Sequence, residues 1–138
     1  MKKRALIIIF AAALLLAAVM PAAAGEITIR RGGSLWATVE SGGTIRINGS
    51  IVGEIESGGT VRKNGSIVGE IESGGTIRKN GSIYGEIESS GTLRVNGSIV
   101  GEIESGGTIR KNGSIWGSAT PCDLFRVTAV LIFFSGDF

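Results

Sequence analysis

The 138-residue sequence contains no histidine, a single cysteine and two prolines, and only 6% of its residues are aromatic. Without histidine the chain lacks the commonest general base and metal ligand, and a serine–histidine or cysteine–histidine nucleophile pair is excluded. One cysteine cannot form a disulfide within the chain. Glycine is abundant, with 23 residues, which favours tight turns over long helices. We therefore expect no enzyme, no metal and no other cofactor.

The first 24 residues have the pattern of a secretory signal. Lys2, Lys3 and Arg4 precede an apolar run over residues 5–20, and small residues lead to a predicted cleavage site after Ala24. The apolar run is short for a membrane span, so we expect cleavage and no membrane span in the mature chain. The sequence thus predicts export to the periplasm or the extracellular space.

Cleavage of the signal also changes the charge balance. The whole chain has 14 Lys and Arg against 12 Asp and Glu. Three of the basic residues belong to the signal, which leaves 11 against 12 and a net charge of about −1. A nucleic-acid surface needs a clustered basic excess, so we expect no nucleic-acid partner.

The remaining sequence repeats with a period of 16 residues. The repeats occupy residues 28–43, 44–59, 60–75, 76–91, 92–107 and, in shortened form, 108–117. In the consensus unit, Lys-Asn-Gly and Ser-Gly-Gly separate β-branched runs, as in hairpins. One copy buries about three aliphatic side chains at about 2 kcal/mol each, which cannot offset an ordering cost of about 1–2 kcal/mol per residue. The copies must therefore share one core.

The order of apolar residues predicts the strand register. A three-residue loop over residues 63–65 would set Val61 opposite Ile67. A similar loop over residues 73–75 would set Ile71 opposite Ile77. All four aliphatic side chains would then share one face of the sheet.

The other face would carry opposite charges in cross-strand pairs, such as Glu70 opposite Arg78. The predicted fold is therefore all-β, an antiparallel meander of 16-residue hairpins closed into a barrel-like or flower-like ring. The alternative is a β-solenoid like the bactofilin-like filament formers. That fold would stack equivalent glutamates and equivalent arginines about 4.8 Å apart in like-charge columns, so we favour the ring.

The end of the sequence departs from the repeat. Residues 118–123 have the composition of a linker, and residues 124–134 form an almost continuous apolar run. We expect this run to be a strand that replaces the missing half of the last unit and plugs or closes the ring. With 11 residues it is too short to cross a membrane as a helix.

The repeat units, the signal and the closing run Val130-Leu131-Ile132-Phe133-Phe134 before Asp137-Phe138 together resemble the bacterial secreted proteins called five-fold beta-flower proteins. The resemblance covers nearly all of the mature chain. It implies a small closed all-β ring in an exported bacterial protein, with no molecular activity attached. This sequence differs by having six repeat starts, the first with Arg31-Gly32-Gly33-Ser34 in place of Asn-Gly-Ser.

One repeat position varies more than the others, and it holds Trp36, Tyr84 and Trp116 where the remaining copies have valine. The predicted register puts these aromatics on the charged face, where they would contact a glycan or an envelope protein. The structural alternative is that they cover the second face of the sheet or pack on the C-terminal segment. They are the candidate binding residues.

Other polar residues have simpler interpretations. The carboxylate pairs at positions 54 and 56, 70 and 72, 86 and 88, and 102 and 104 are expected to form a solvated charged face. A repeated strand gives no reason for the different pKa values that a glycosidase needs. Cys122 either pairs with a second molecule or is an idle thiol.

These observations favour an exported, non-catalytic β-protein with a structural or binding role. The alternative is a self-assembling filament built from the solenoid form. A glycan hydrolase is not expected, because the chain has no histidine and its carboxylates lie in repeated positions. Oligomer formation stays open.

Overall fold

A computed structural model describes residues 25–138, and these residues form a closed barrel of twelve antiparallel strands. The predicted signal, residues 1–24, lies outside the described residues. The strands are β1 (Ile27–Arg31), β2 (Ser34–Val39), β3 (Thr44–Ile47), β4 (Ser50–Ile55), β5 (Thr60–Lys63), β6 (Ser66–Ile71), β7 (Thr76–Lys79), β8 (Ser82–Ile87), β9 (Thr92–Val95), β10 (Ser98–Ile103), β11 (Thr108–Lys111) and β12 (Ser114–Thr120).

Consecutive strands form six hairpins, and β1 closes the ring by pairing with β12, where Thr28 lies opposite Thr120. The barrel therefore has no free edge strand, which removes the usual site of edge-to-edge aggregation. Every neighbouring pair is antiparallel, so the predicted closed ring is confirmed and the solenoid alternative is wrong. The divergent first repeat is a complete hairpin.

The Asn-Gly turns differ from the prediction. Lys63 pairs with Ser66, so the turn has two residues, Asn64 and Gly65, with φ values of 52° and 86°. Positive φ at both positions is the type I′ conformation, whose twist matches that of the flanking strands. The three-residue loop predicted over residues 63–65 is therefore wrong.

A β-bulge follows the shorter turn and shifts the strand pairing by one residue. Arg62 pairs with Ile67, whereas Val61 pairs with Gly69, so Val68 is the extra residue. The bulge keeps Val61 and Gly69 on the buried side but turns Ile67 outward, so the prediction that Ile67 joins the core is wrong. The equivalent side chains form an exposed aliphatic belt: Leu35 (56% exposed), Ile51 (61%), Ile67 (59%), Ile83 (64%), Ile99 (58%) and Ile115 (68%).

The Ser-Gly-Gly loops have the predicted three-residue form. Gly75 has a φ of 100°, and its N–H donates to the Glu72 carbonyl at 2.8 Å. Ile71 then lies opposite Ile77, and Glu70 opposite Arg78, as predicted. The barrel thus has a turn end, formed by the Asn-Gly turns, and a loop end, formed by the Ser-Gly-Gly loops.

The lumen is lined by aliphatic side chains that alternate around the ring. One set lies on the first strand of each hairpin and the other on the second, and paired members come from neighbouring hairpins, as Ile71 and Ile77 do. The two sets are Ile29, Ile45, Val61, Ile77, Leu93 and Ile109, and Val39, Ile55, Ile71, Ile87, Ile103 and Ala119.

The C-terminal residues differ from the prediction in two ways. β12 continues to Thr120, so residues 118–120 belong to a strand that completes the last hairpin. Residues Leu124–Val130 form helix α1, and Leu131–Ser135 form a π-helical turn, so the predicted closing strand is wrong. Because the run is apolar on all sides, its pattern fits a buried helix as well as a buried strand.

The predicted plugging of the ring is confirmed, because Val127 and Leu131 are fully buried in the core. Eight strands enclose a lumen that their own side chains fill, and sixteen leave a channel, so twelve strands need additional filling. Helix α1 supplies it. Among residues 25–138, no helix has the length and apolar character needed to cross a membrane.

Polar contacts fix the start of α1 at the loop end of the barrel. The Asp123 carboxylate caps the helix by accepting a hydrogen bond from the Arg126 N–H at 3.1 Å. The Arg126 guanidinium donates to the carbonyls of Glu40 and Ser41 at 3.4 and 3.3 Å. The chain then runs through the lumen towards the turn end. On the way it buries Thr128, whose hydroxyl has no hydrogen-bond partner among the described residues.

Glycines in the wall make room for aromatic rings of the C-terminal segment. Gly69 follows the bulge, and a Cβ atom there would lie 2.5 Å from two ring carbons of Phe133 and closer still to the Arg78 carbonyl oxygen. Gly53 and Gly101 stand in the same way against Phe134 and Phe138. These glycines are required by close approach, because a methyl group would collide with an aromatic ring and with the neighbouring strand.

We expect Gly69→Ala to lower the free energy of unfolding by at least about 2 kcal/mol, because the added methyl group overpacks the lumen. Gly74→Ala is the matched control: it lies in a loop with no atom within 4 Å of an added Cβ. The control should change stability by less than about 0.5 kcal/mol. Urea unfolding of both variants measures the difference, and equal midpoints would contradict the close packing of the wall on Phe133.

Candidate binding site at the barrel mouth

The turn end of the barrel is the mouth through which the chain leaves the lumen. Beyond the π-helical turn, Gly136 has a φ of 76° and redirects the backbone. Asp137 and Phe138 then lie against side chains of the wall. We call the wall residues Arg31, Trp36 and Trp116 the mouth cluster, against which Asp137 and Phe138 pack.

The Asp137 carboxylate is bound by the mouth cluster through one oxygen atom. Its Oδ2 atom accepts a hydrogen bond from the Trp116 indole Nε1 at 2.8 Å and pairs with the Arg31 guanidinium at 2.5 Å. The Arg31 and Asp137 side chains are 41% and 28% exposed, so the pair is accessible to solvent. A guanidinium and an indole N–H converging on one oxygen make a charge-assisted carboxylate site.

Two indoles hold the Arg31 guanidinium in place. Its Cζ atom lies 5.5 Å from the Trp36 ring centroid and 5.4 Å from that of Trp116. The two indole rings pack edge to face, with centroids 5.6 Å apart. Cation–π attraction from both rings therefore orients the cation towards the carboxylate.

Phe138 extends the contacts across the mouth to the opposite wall. Its ring packs edge to face on Trp116 at 5.5 Å between centroids. Its carbonyl oxygen accepts a hydrogen bond from the Tyr84 hydroxyl at 3.0 Å. The Lys79 ammonium lies 4.5 Å from the Tyr84 ring centroid, which adds a second cation to the mouth.

The three candidate aromatics are thus joined through the C-terminal residues. Trp36, Tyr84 and Trp116 are half-buried and pack against the core, so their predicted position on the outer charged face is wrong. The physical reason is the bulge at each of these positions. Because of it, the preceding aliphatic residue lies on the outer face of the wall in place of the aromatic residue. The observed packing agrees with the structural alternative that they contact the C-terminal segment.

Arg31, Asp137 and Phe138 are not among the candidate residues that the sequence indicates. Arg31 has a detectable signal, because the first repeat has Arg31-Gly32-Gly33 where most others have Lys-Asn-Gly. The positions of Asp137 and Phe138 depend on the helical path of residues 124–135, which a strand assignment places elsewhere.

The outer wall carries the repeated charges. Arg78 donates to Glu72 at 2.5 Å and to the Gly81 carbonyl at 3.4 Å, and so spans the outside of its hairpin. Four other arginines repeat the pairing with a loop glutamate: Arg46, Arg62, Arg94 and Arg110. Half-exposed pairs of this kind contribute about 0–1 kcal/mol each.

The two glutamates of each predicted carboxylate pair have different partners. Glu72 and its equivalents bind arginine, whereas Glu70 and its equivalents form no ion pair with the described residues. Within residues 25–138, no three Cys, Asp or Glu side chains are grouped closely enough to hold a metal ion.

Cys122 lies half-buried at the loop end, where its thiol contacts the Glu104 carbonyl at 3.5 Å. Burial raises the pKa of the Cys122 thiol, and the charge of neighbouring Asp123 raises it further. A raised pKa lowers the thiolate fraction near neutral pH, and the thiolate is the reactive form.

The chain matches no protein-family model, no curated protein and no solved structure. Its architecture defines it as a closed all-β barrel of repeated hairpins with a helix in the lumen.

Proposed function

We propose that this chain is an exported, non-catalytic binding module that presents the mouth cluster to a component of the bacterial envelope, either a glycan or an envelope protein. The observation that carries the proposal is the meeting of Trp36, Trp116 and Arg31 at one accessible carboxylate site. Aromatic and arginine side chains are the residue types that contribute most to binding interfaces.

The rest of the barrel suits a scaffold for such a site. The hydrogen-bonded ring is closed and its lumen is filled, so the strands that carry Arg31 and Trp116 are held at a fixed separation. The export part of the proposal depends on the signal pattern of residues 1–24. We also propose that the chain is related to the five-fold beta-flower proteins, from which it differs in having six hairpins.

Expression of the full chain in a bacterial host tests export and binding together. We expect a periplasmic product that begins at Gly25 and co-sediments with isolated envelope fragments. Trp116→Ala should lower the bound fraction about tenfold or more, because an aromatic anchor contributes about 2 kcal/mol. Val52→Ala, at the same repeat position on another hairpin, is the control. Retention in the cytoplasm, or equal sedimentation of both variants, would refute the proposal.

A second candidate function is self-association through the aliphatic belt. Its six side chains are 56–68% exposed. Beside one of them, Ile67, lies a groove of about 390 Å³ between two hairpins, with Glu70 and Arg78 on its walls. Because every hairpin exposes an equivalent aliphatic side chain, two copies could match several contacts at once.

Sedimentation velocity tests self-association directly. The wild-type chain should sediment as an oligomer at micromolar concentration, and the double variant Ile67→Ser/Ile83→Ser should sediment as a monomer, because it loses apolar contact area. Thr60→Ser, which changes a groove residue outside the belt, is the control. A monomeric wild-type chain would eliminate this candidate.

A further inference from the structure

We infer that the mouth cluster is a recognition site for a polypeptide segment in which an aspartate adjoins an aromatic residue, and that Asp137-Phe138 occupies this site as a tethered ligand. The inference rests on the binding function proposed above and names the chemical class of the partner: a protein, not a glycan. A partner segment with the same two groups would displace Asp137 and Phe138 from the cluster.

The contacts to Asp137 and Phe138 are those of a ligand and its site. The carboxylate receives the Trp116 indole N–H at 2.8 Å and the Arg31 guanidinium at 2.5 Å. The aromatic ring packs edge to face on Trp116, and the following carbonyl accepts the Tyr84 hydroxyl at 3.0 Å. Acid, ring and backbone are therefore each recognised by a separate group of the wall.

The residues that form the site are departures from the repeat. Trp36 and Trp116 replace the valine that three other copies have, and Arg31 belongs to the one hairpin without an Asn-Gly turn. All three lie where β1 meets β2 and β12, the seam at which the ring closes. The aliphatic positions that fill the lumen are kept in every hairpin, so closure of the ring does not by itself require an arginine between two indoles.

Asp137 and Phe138 are separable from the plug that fills the lumen. Residues Val127–Leu131 are fully buried, whereas Asp137 is 28% exposed and Phe138 is half-buried. Gly136 lies between the two parts in the left-handed conformation and redirects the backbone, and the Asp137 N–H donates to the Ser135 hydroxyl at 3.0 Å across it. Release of Asp137 and Phe138 would uncover Gly101, against which the Phe138 ring packs, but would leave the fully buried residues of the plug in place.

The test uses the full chain with the tethered ligand disabled by the double substitution Asp137→Ala/Phe138→Ala. The probe is the peptide Ser-Gly-Asp-Phe, which copies residues 135–138, and the control peptide carries Asn in place of Asp. Binding is followed by tryptophan fluorescence and by the NMR signal of the Trp116 indole N–H. The disabled variant should bind the Asp peptide about tenfold more tightly than the Asn peptide, as expected for loss of a charge-assisted hydrogen bond.

The wild-type chain should bind the Asp peptide more weakly than the disabled variant, because its own residues compete for the site. In the disabled background, Arg31→Ala should weaken binding about tenfold. Arg30→Ala is the matched control, since Arg30 lies next in sequence and donates to the Gly33 carbonyl instead.

Three results would overturn the inference: a disabled variant that fails to fold, a folded one that binds both peptides equally, or one that binds neither. A folded variant that binds no peptide but still sediments with protease-treated envelope fragments would indicate a glycan partner. In that case the proposed binding function would stand and the peptide class would be wrong. If the protein instead binds the Asp peptide but no envelope fragments, the peptide inference would stand and the proposed envelope-binding function would be wrong.

Discussion

Closure of the ring is the constraint on which the other features depend. Twelve strands pair without a free edge, and the cylinder that they enclose is wider than the aliphatic side chains of the wall can fill. An empty lumen would lose dispersion contacts on every side, so an apolar segment must enter it. Helix α1 and the π-helical turn are that segment, and the glycines beside Phe133 and Phe134 adjust the wall to its width.

Repetition and departure from repetition have different roles in this barrel. The repeated residues build the wall: a type I′ turn, a bulge, a loop with Gly75 or its equivalent, and an arginine that bonds both ends of its hairpin. The departures, Arg31, Trp36 and Trp116, collect at the seam and contact one another and the last residues of the sequence. A symmetric ring therefore carries an asymmetric site at one point of its rim.

Much of the fold could be predicted from the sequence, and the errors have physical causes. The period, the closed antiparallel ring and the pairing of Ile71 with Ile77 follow from hydrophobic register and charge pairing. The bulges could not be predicted, because they depend on the twist of a two-residue turn. The bulge at Val68 turns Ile67 outward, and the equivalent bulge at Trp116 directs that indole towards the mouth. A run that is apolar on all sides does not distinguish helix from strand, so its place in the lumen could be predicted but its helical form could not.

The most direct test of the plug's role in closing the ring places a charge inside it. Leu131 is fully buried, whereas Phe125, in the same apolar segment, is 37% exposed. An unpaired carboxylate at Leu131 has no partner in the lumen, so urea unfolding of Leu131→Asp should show no cooperative transition, while Phe125→Asp should keep one. A cooperative transition of Leu131→Asp at the wild-type midpoint would mean that the ring stands without its plug, and would contradict the dependence of the closed barrel on a filled lumen.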